Sequence, residues 1–564
     1  MLRAHYTSLL GLALLMACQS TTETDDPSTD ENAPQDTFMW EGATVYFALT
    51  DRFLNGDPSN DEAFDRTKEG APLRSYLGGD LRGVIQKLDE GYFTDLGVNA
   101  LWLTPPYENI HGYTDEGTGK TYAFHGYWPR DWSAIDPNLG TMVDYQELVE
   151  KAHAQGIRVI LDVIINHTGP VTAADSQWPD SWVRTEPACT WEDPKAVIEC
   201  TLVENLPDIR TESEEDVELP EFLVEKWKAE GRYEQEVAEL DEFFAATGYP
   251  RAPKYYIIKW MIDYVKELGI DGFRIDTAKH TEASVWGALY REAVKALETW
   301  RANHPEAPSA QWDEEFYMVG EVYGYSIGHG LYYPYNDTAK VNFYKEGFQA
   351  MINFDAKGAA HQTYETAFAA YSQVLHQGEL EGLSTLNYLA SHDDGGPYDK
   401  MREQPFRAAN MLMLLPGAAQ IYYGDESSRV LDATELGADG DAHLRTPMNW
   451  DMIASQDTVA GTAVQEVLAY YQKLGQFRAA HPAVGAGVHQ LISEAPYTFS
   501  RKVEGAISDQ VVVTISDDID EISVAGVFTD GTKVRDYFTG QEVEVEDGKV
   551  ILANYGPVVL LGED

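Results

Sequence analysis

The sequence predicts an α/β protein: a closed barrel of parallel strands, with an insert after the third strand and an antiparallel β domain at its end. Three observations carry that expectation. Short apolar runs alternate with helical patterns along most of the chain. Four polar segments follow such runs in a fixed order: Asp162-Val-Ile-Ile-Asn-His167, Gly272-Phe-Arg-Ile-Asp-Thr-Ala-Lys-His280, Gly320-Glu-Val322 and Ser391-His-Asp393. The alternation breaks at two places, from about Thr168 to Tyr249 and from about Pro482 onward.

The start of the chain reads as a processing signal. Ser8 to Ala17 is apolar but too short to span a bilayer, and it ends in Leu15-Met-Ala-Cys18, which resembles a bacterial lipoprotein box. Residues 1–18 are therefore expected to be a lipoprotein signal peptide with Cys18 lipidated, an ordinary signal peptide being the alternative. The polar, acidic stretch 19–37 reads as a disordered tether. The expected destination is the bacterial outer membrane, with secretion as the alternative.

Strands are expected at Thr44–Leu49, Asn99–Thr104 and Arg158–Ile165, with helices over Leu81–Leu96 and Tyr145–Gln155. The insert 168–249 reads as irregular and acidic. Alternation resumes with a helix over Tyr255–Leu268, strand Gly272–Ile275, helix Val285–Ala302 and strand Phe316–Val319. One strand falls within Val341–Phe354. Helix Ala359–Leu375, strand Ser384–Leu389, helix Pro405–Leu414, strand Ala419–Tyr423 and helix Val464–His481 follow. That makes about eight strands, which suits a barrel formed by 38–167 and 250–481. From 482 to 564, short strands separated by turns such as Asp530-Gly531 and Asp547-Gly548 read as a β domain.

The chain has 564 residues, with 93 acidic against 41 basic and a formal net charge of −52. Such a surface repels nucleic acid and anionic membranes, so neither is an expected partner, apart from a lipid anchor at Cys18. The acidity fits a soluble exported protein, adaptation to salt, or bound calcium. The 33 tyrosines and 13 tryptophans fit either core or flat platforms for sugar rings. Beyond Cys18, Cys189 and Cys200 lie close together, as for a disulfide closing a small loop or as two free thiols.

Arg274 and Asp276 stand two apart on one strand and so share a face. There Arg274 would hold Asp276 ionised, as a nucleophile requires. Glu321 follows another strand and would need a raised pKa to serve as an acid, with Asp393 supplying negative field. Taken singly, each is an ordinary strand-end ion pair or cap; four segments in order make coincidence a poor account.

Those segments resemble the alpha-amylase family of glycoside hydrolases (family 13), over nearly all of the mature length. The resemblance implies a (β/α)8 TIM barrel, an insert domain after strand 3 and a C-terminal β-sandwich. It implies Asp276 as nucleophile, Glu321 as acid/base and Asp393 as the carboxylate gripping sugar hydroxyls. It also implies retention through a covalent glycosyl-enzyme, with carboxyls about 5–5.5 Å apart. His125-Gly-Tyr-Trp128 resembles the segment that packs on the reacting sugar, with Tyr127 as platform. His167 and His392 resemble its hydroxyl-binding histidines, and Lys279-His280 the leaving-group pair of α-1,4-specific members. Ser391 departs from the Asn usual before His-Asp.

The resemblance further implies calcium. One set is Asn55, Asp57, Asn60 and Asp61 with Gly78 and Asp80; the other is Asn166, Asp208 and the backbone oxygen of His280. A hard cation takes six to eight oxygens at roughly 2.3–2.6 Å. The expected function is a monomeric alpha-amylase cutting internal α-1,4 bonds of starch, glycogen or maltodextrin. A maltogenic or neopullulanase-like amylase, a 4-α-glucanotransferase, and a non-catalytic glycan-binding lipoprotein are the alternatives.

Overall fold

The computed structural model describes residues 38–66, 70–115, 117–505, 507–516 and 518–563. The leader, the tether and Cys18 lie outside these. Eight parallel strands close into a barrel: β1 Thr44–Ala48, β2 Ala100–Leu103, β3 Arg158–Val163, β4 Gly272–Ile275, β5 Tyr317–Gly320, β6 Ala350–Asn353, β7 Ser384–Asn387 and β8 Ala418–Tyr422. Neighbours in the ring follow chain order, and β1 pairs β8 through Thr44↔Ala419 to close it. Every residue of these strands is buried, which is why they read as continuous apolar runs: helices cover one face and the barrel interior the other.

The expected barrel therefore stands, with local corrections. The helix expected over Leu81–Leu96 is two, Leu81–Asp89 and Tyr92–Asp95, because Gly91 adopts φ 74 and ends the first. The helix expected over Ala359–Leu375 likewise splits into Ala356–Ala359 and Tyr364–Gln377.

The segment between β3 and the helix Pro253–Leu268 is less irregular than its composition suggests. Besides the single turn Lys195–Ile198 it carries two longer helices, Glu221–Glu230 and Tyr233–Thr247, which bury Leu223 and Trp227, and Leu240, Phe243 and Phe244. The three-to-four-residue spacing of those side chains is an amphipathic signal that the many surrounding acids obscure. Gly231 and Gly248 end the two helices in the left-handed conformation. Cys189 and Cys200 form a disulfide.

The C-terminal sheet has six antiparallel strands: β9 Val488–Glu494, β10 Tyr497–Val503, β11 Asp509–Ile515, β12 Lys533–Asp536, β13 Gln541–Glu544 and β14 Val558–Gly562, in the order β9-β10-β11-β14-β12-β13. Sequence analysis missed β9 and β10, whose alternation includes polar residues. Val511, Val513, Val558 and Leu560 point into the barrel's core cluster, while Val512, Val559 and Leu561 join a separate one with Ile522, Val534 and Val545. Period two thus makes one sheet serve two cores. Among the described residues no helix is long and apolar enough to cross a membrane.

Helix Val464–Ala480 packs its backbone against the turn that leads into β2. A Cβ on Gly475 would lie 1.8 Å from the Leu96 carbonyl oxygen, and one on Gly97 2.1 Å from the Gly475 carbonyl. Helix propensity favours Ala over Gly by about 1 kcal/mol, but overpacking costs about 1–3 kcal/mol. A backbone contact this close places Gly475→Ala at the upper end of that cost. The variant is expected to be less stable in a denaturant titration; equal or greater stability would show that the helix can move away freely.

Candidate active site

The site forms at the C-terminal ends of β3, β4, β5 and β7. Register sets it up: Arg274 on β4 pairs with Asp162 on β3 and with Val319 on β5. Backbone bonds continue past the strand ends, from Asp276 N–H to Val163 and from Glu321 N–H to Ile275. The next side chains along both strands are thereby carried to the barrel mouth.

Arg274 is 1% exposed and is the hub. Its Nη1 lies 3.0 Å from Asp162 Oδ1 and 2.9 Å from Asp276 Oδ1, and its Nη2 lies 3.5 Å from Glu321 Oε2. Glu321 Oε2 also accepts the Thr277 N–H at 2.7 Å. Thr277 holds φ 47, a left-handed conformation unfavourable for a β-branched residue, in the turn that delivers this donor. Asp393 accepts from the Ser391 hydroxyl at 3.0 Å, so the serine that departs from the family pattern orients this carboxylate.

The electrostatics separate these acids. Burial raises the Glu321 carboxyl to about 8, Arg274 opposing and Asp276 and Asp393 assisting. Burial also raises Asp162 to about 6 against the pull of Arg274. Asp393 goes the other way: withdrawal from water is outweighed by His392, Arg274, Arg445 and the Ser391 hydroxyl, which hold it below the usual carboxylate range. The arrangement therefore offers a proton on Glu321 near neutral pH, beside an ion-paired Asp276 and an ionised Asp393.

The expected sugar-contacting residues converge here. Tyr127 donates to Asp162 Oδ2 at 2.7 Å and stacks on His392 with centroids 5.1 Å apart. His125 Nδ1 accepts the Tyr127 N–H at 3.0 Å, and His167 Nε2 lies 3.1 Å from the Tyr127 carbonyl. Lys279 Nζ donates to the Tyr323 carbonyl at 2.9 Å. Burial lowers all four histidines, His280 and His392 to about 4 and His125 and His167 below the usual range, so they are neutral imidazoles at neutral pH.

Sequence reasoning quoted Asp162 only within its motif; Trp102 Nε1 also donates to it at 3.0 Å. It missed Arg445, whose Nε donates to the His392 carbonyl at 2.8 Å and whose Nη1 pairs with Asp441 at 2.7 Å. Asp441 and Arg74 border a cavity of about 750 Å³ that also touches Asp115 and Asn205. No motif marks Arg445, because it lies in the loop between a 3-10 turn, Gly440–Leu444, and the short helix Trp450–Ser455.

The two calcium sets differ. In the first, Asp80 accepts the N–H groups of Gly56, Asp57 and Gly83, and Asp57 accepts from Ser59. Asn55 donates to Asp61 at 2.9 Å, and Gly78 sits so close that a Cβ there would lie 2.8 Å from Asp61 Oδ1. This loop closes on its own donors, with only Asn60 Oδ1 buried and unpartnered. In the second, Asn166 Oδ1 and both Asp208 oxygens are buried without a hydrogen bond. Arg184 Nε lies 2.9 Å from Asp208 Oδ2 as an ion pair, yet burial still raises this carboxyl to about 9. These oxygens fit a hard cation. Among the described residues no three of His, Cys, Asp and Glu converge as a metal cluster, so either set relies on amide or backbone oxygens.

Comparison with known proteins agrees with this geometry. The family description "Alpha amylase, catalytic domain" matches residues 47–487. The chain is 36% identical over 531 residues to the periplasmic alpha-amylase of Escherichia coli (strain K12), covering 84% of this chain and 72% of that one. A stretch of 140 residues is 44% identical to the cyclomaltodextrin glucanotransferase of Bacillus licheniformis, covering 24% of this chain and 19% of that one. Among solved structures, an Anoxybacillus alpha-amylase superposes with a TM-score of 0.62 at 23% identity, covering 93% of this chain and 99% of that one, a likeness of fold.

Because the acid form of Glu321 persists to about 8, turnover is expected to hold through neutral pH and fall tenfold per unit above it. Glu321→Gln is expected to lose about 10²–10⁴-fold in kcat/KM on unactivated substrate and to lack that alkaline limb. An unchanged alkaline limb in the variant would assign it to another group.

Proposed function

The chain belongs to the alpha-amylase family and is a glycoside hydrolase; from that premise we propose that it cleaves internal α-1,4-glucosidic bonds of starch, glycogen or maltodextrin with retention. The observation that carries the mechanism is the shared guanidinium, Asp276 Oδ1 at 2.9 Å from Arg274 and a Glu321 carboxyl raised to about 8. Asp276 attacks the anomeric carbon as Glu321 gives its proton to the departing glycosidic oxygen. A water then loses a proton to Glu321 and attacks the same carbon, and the bond to Asp276 breaks. Asp393 and the neutral histidines grip the sugar hydroxyls.

The stretch similar to a glucanotransferase keeps open transfer to a sugar in place of water. Sizing the products from maltoheptaose with and without added acceptor separates the two; a dominance of transfer products would overturn the hydrolase assignment. A purely glycan-binding role is not supported, because all three carboxylates are present. Export of a monomer with lipid attached at Cys18 belongs to the same proposal, drawing on the signal-like start and the periplasmic relative. Fatty-acid labelling that persists in Cys18→Ser would refute the attachment.

Asn166 and Asp208 are proposed to hold calcium, which would supply positive charge where the chain leaves β3 for the insert. Antiparallel contacts already join the two there: Thr168 N–H donates to Pro207 and Ile209 N–H to Asn166. The loop containing Asn60 is a second, weaker place for the ion.

Asp276→Asn is expected to abolish hydrolysis while leaving oligosaccharide binding measurable by calorimetry; normal turnover would remove Asp276 as nucleophile. Added calcium is expected to stabilise metal-stripped protein by roughly 2–3 kcal/mol at a hundredfold excess over Kd. Asp208→Asn should lose most of that gain, whereas an equal gain in the variant would locate the ion elsewhere.

A further inference from the structure

Two acids stand side by side beyond the end of β7, and the fold treats them differently. The Asp393 side chain is 37% exposed, whereas that of Asp394 is 9% exposed. Burying a carboxylate is costly unless its oxygens are paired and hydrogen-bonded, and Asp394 is held at both. Its Oδ2 accepts the Tyr388 hydroxyl at 2.6 Å and pairs with the Lys357 ammonium. Its Oδ1 accepts the Gly396 N–H at 3.1 Å. Burial, with the Asp394 carboxylate alongside, pushes the Tyr388 hydroxyl up, so it stays a donor. Lys357 belongs to the helix Ala356–Ala359 that follows β6, and Tyr388 comes directly after β7. The clamp on Asp394 therefore ties the mouth ends of two neighbouring strands. The loop that carries both acids is closed where the Tyr398 N–H donates to the Leu389 carbonyl at 2.8 Å.

From Asp394 a relay runs to Asp393 through Ser391. The Asp394 N–H donates to the Ser391 hydroxyl oxygen at 3.2 Å, and that hydroxyl lies 3.0 Å from Asp393 Oδ1. A serine hydroxyl has one proton, and its direction is set by what surrounds it. With an N–H occupying a lone pair, the proton turns toward the Asp393 carboxylate. Among the described residues no other hydrogen bond reaches Asp393; His392 Nε2 stands 3.8 Å from its Oδ2. The aim of this carboxylate thus depends on Ser391, and the direction of the Ser391 hydroxyl depends on where the Asp394 backbone is held.

We propose that Asp394, clamped by Lys357 and Tyr388, is a positioning residue that acts through Ser391 to aim Asp393 at the reacting sugar. The proposal rests on the role given to Asp393 above. Lys357, Tyr388 and Asp394 do not touch the sugar in it; they fix the loop from behind. Contacts that strengthen only toward the transition state count in kcat, and a carboxylate displaced by a fraction of an ångström loses them while the sugar still binds. Loosening the clamp therefore acts on kcat rather than on KM.

The test is a double-mutant cycle on maltoheptaose that reads kcat and KM separately. Asp394→Asn and Lys357→Met are each expected to lower kcat about tenfold with KM within about twofold of wild type, and Lys357→Arg, which keeps the charge, to stay near wild type. Ser391→Ala should lose as much as Asp394→Asn, and the two together no more than either alone, because both break one relay. A clamp that merely stabilises the fold would give losses that multiply. Multiplying losses, an unchanged kcat in Lys357→Met, or a raised KM at unchanged kcat would overturn the proposal, the last by making the clamp a sugar contact. Wild-type turnover in Asp393→Asn would show instead that the role of Asp393 itself has failed. If Asp394→Asn does not fold, Lys357→Met with and without Ser391→Ala completes the same cycle, since the Lys357 side chain is 25% exposed and the backbone bond closing the loop remains.

Discussion

A single buried guanidinium, that of Arg274, lets three carboxylates face one another in a barrel mouth largely shut off from water. Asp162, Asp276 and Glu321 each reach it within 3.5 Å. Two unit charges 4 Å apart interact by about 4 kcal/mol at an effective dielectric of 20, so acids packed this closely without a cation would mostly protonate. Arg274 pairs directly with Asp276 at 2.9 Å, while burial, only partly opposed by the more distant guanidinium, leaves Glu321 protonated to about 8.

Around this hub the fold supplies position. Strand register sets Arg274 opposite Asp162, the turn at Thr277 brings an N–H to Glu321, and Tyr127 and Trp102 hold the second Asp162 oxygen. Burial keeps the surrounding histidines neutral, so they offer one donor and one acceptor each, which suits sugar hydroxyls better than imidazolium does. The insert forms the other wall. It is tied to β3 beside Asn166 and Asp208 and stapled by a disulfide whose loop reaches His280.

Much of this was legible in the sequence, for a physical reason. Parallel strands buried on both faces must be continuous apolar runs, and the polar residues that end them must cluster if the strands close into a ring. Asp276, Glu321 and Asp393 were therefore readable from local motifs. The helices of the insert were not, because their apolar positions are few and set among acids. Strands β9 and β10 were lost because half-exposed strands such as Val488–Glu494 mix polar with apolar residues. Arg445 was illegible for another reason: it acts from a loop, where only the folded path of the chain says what it faces. Oxygen-rich spacing near Asn55 likewise says nothing about whether backbone donors already satisfy those oxygens.

The central claim is that Asp276, ion-paired with Arg274, forms the covalent bond to the sugar. Trapping tests it most directly: the enzyme is incubated with a deactivated glucosyl fluoride whose enzyme ester hydrolyses slowly, then digested and sequenced by mass spectrometry. The glycosyl mass is expected on Asp276. Its appearance on Asp162, Glu321 or Asp393, or continued turnover with no labelled carboxylate, would contradict the account.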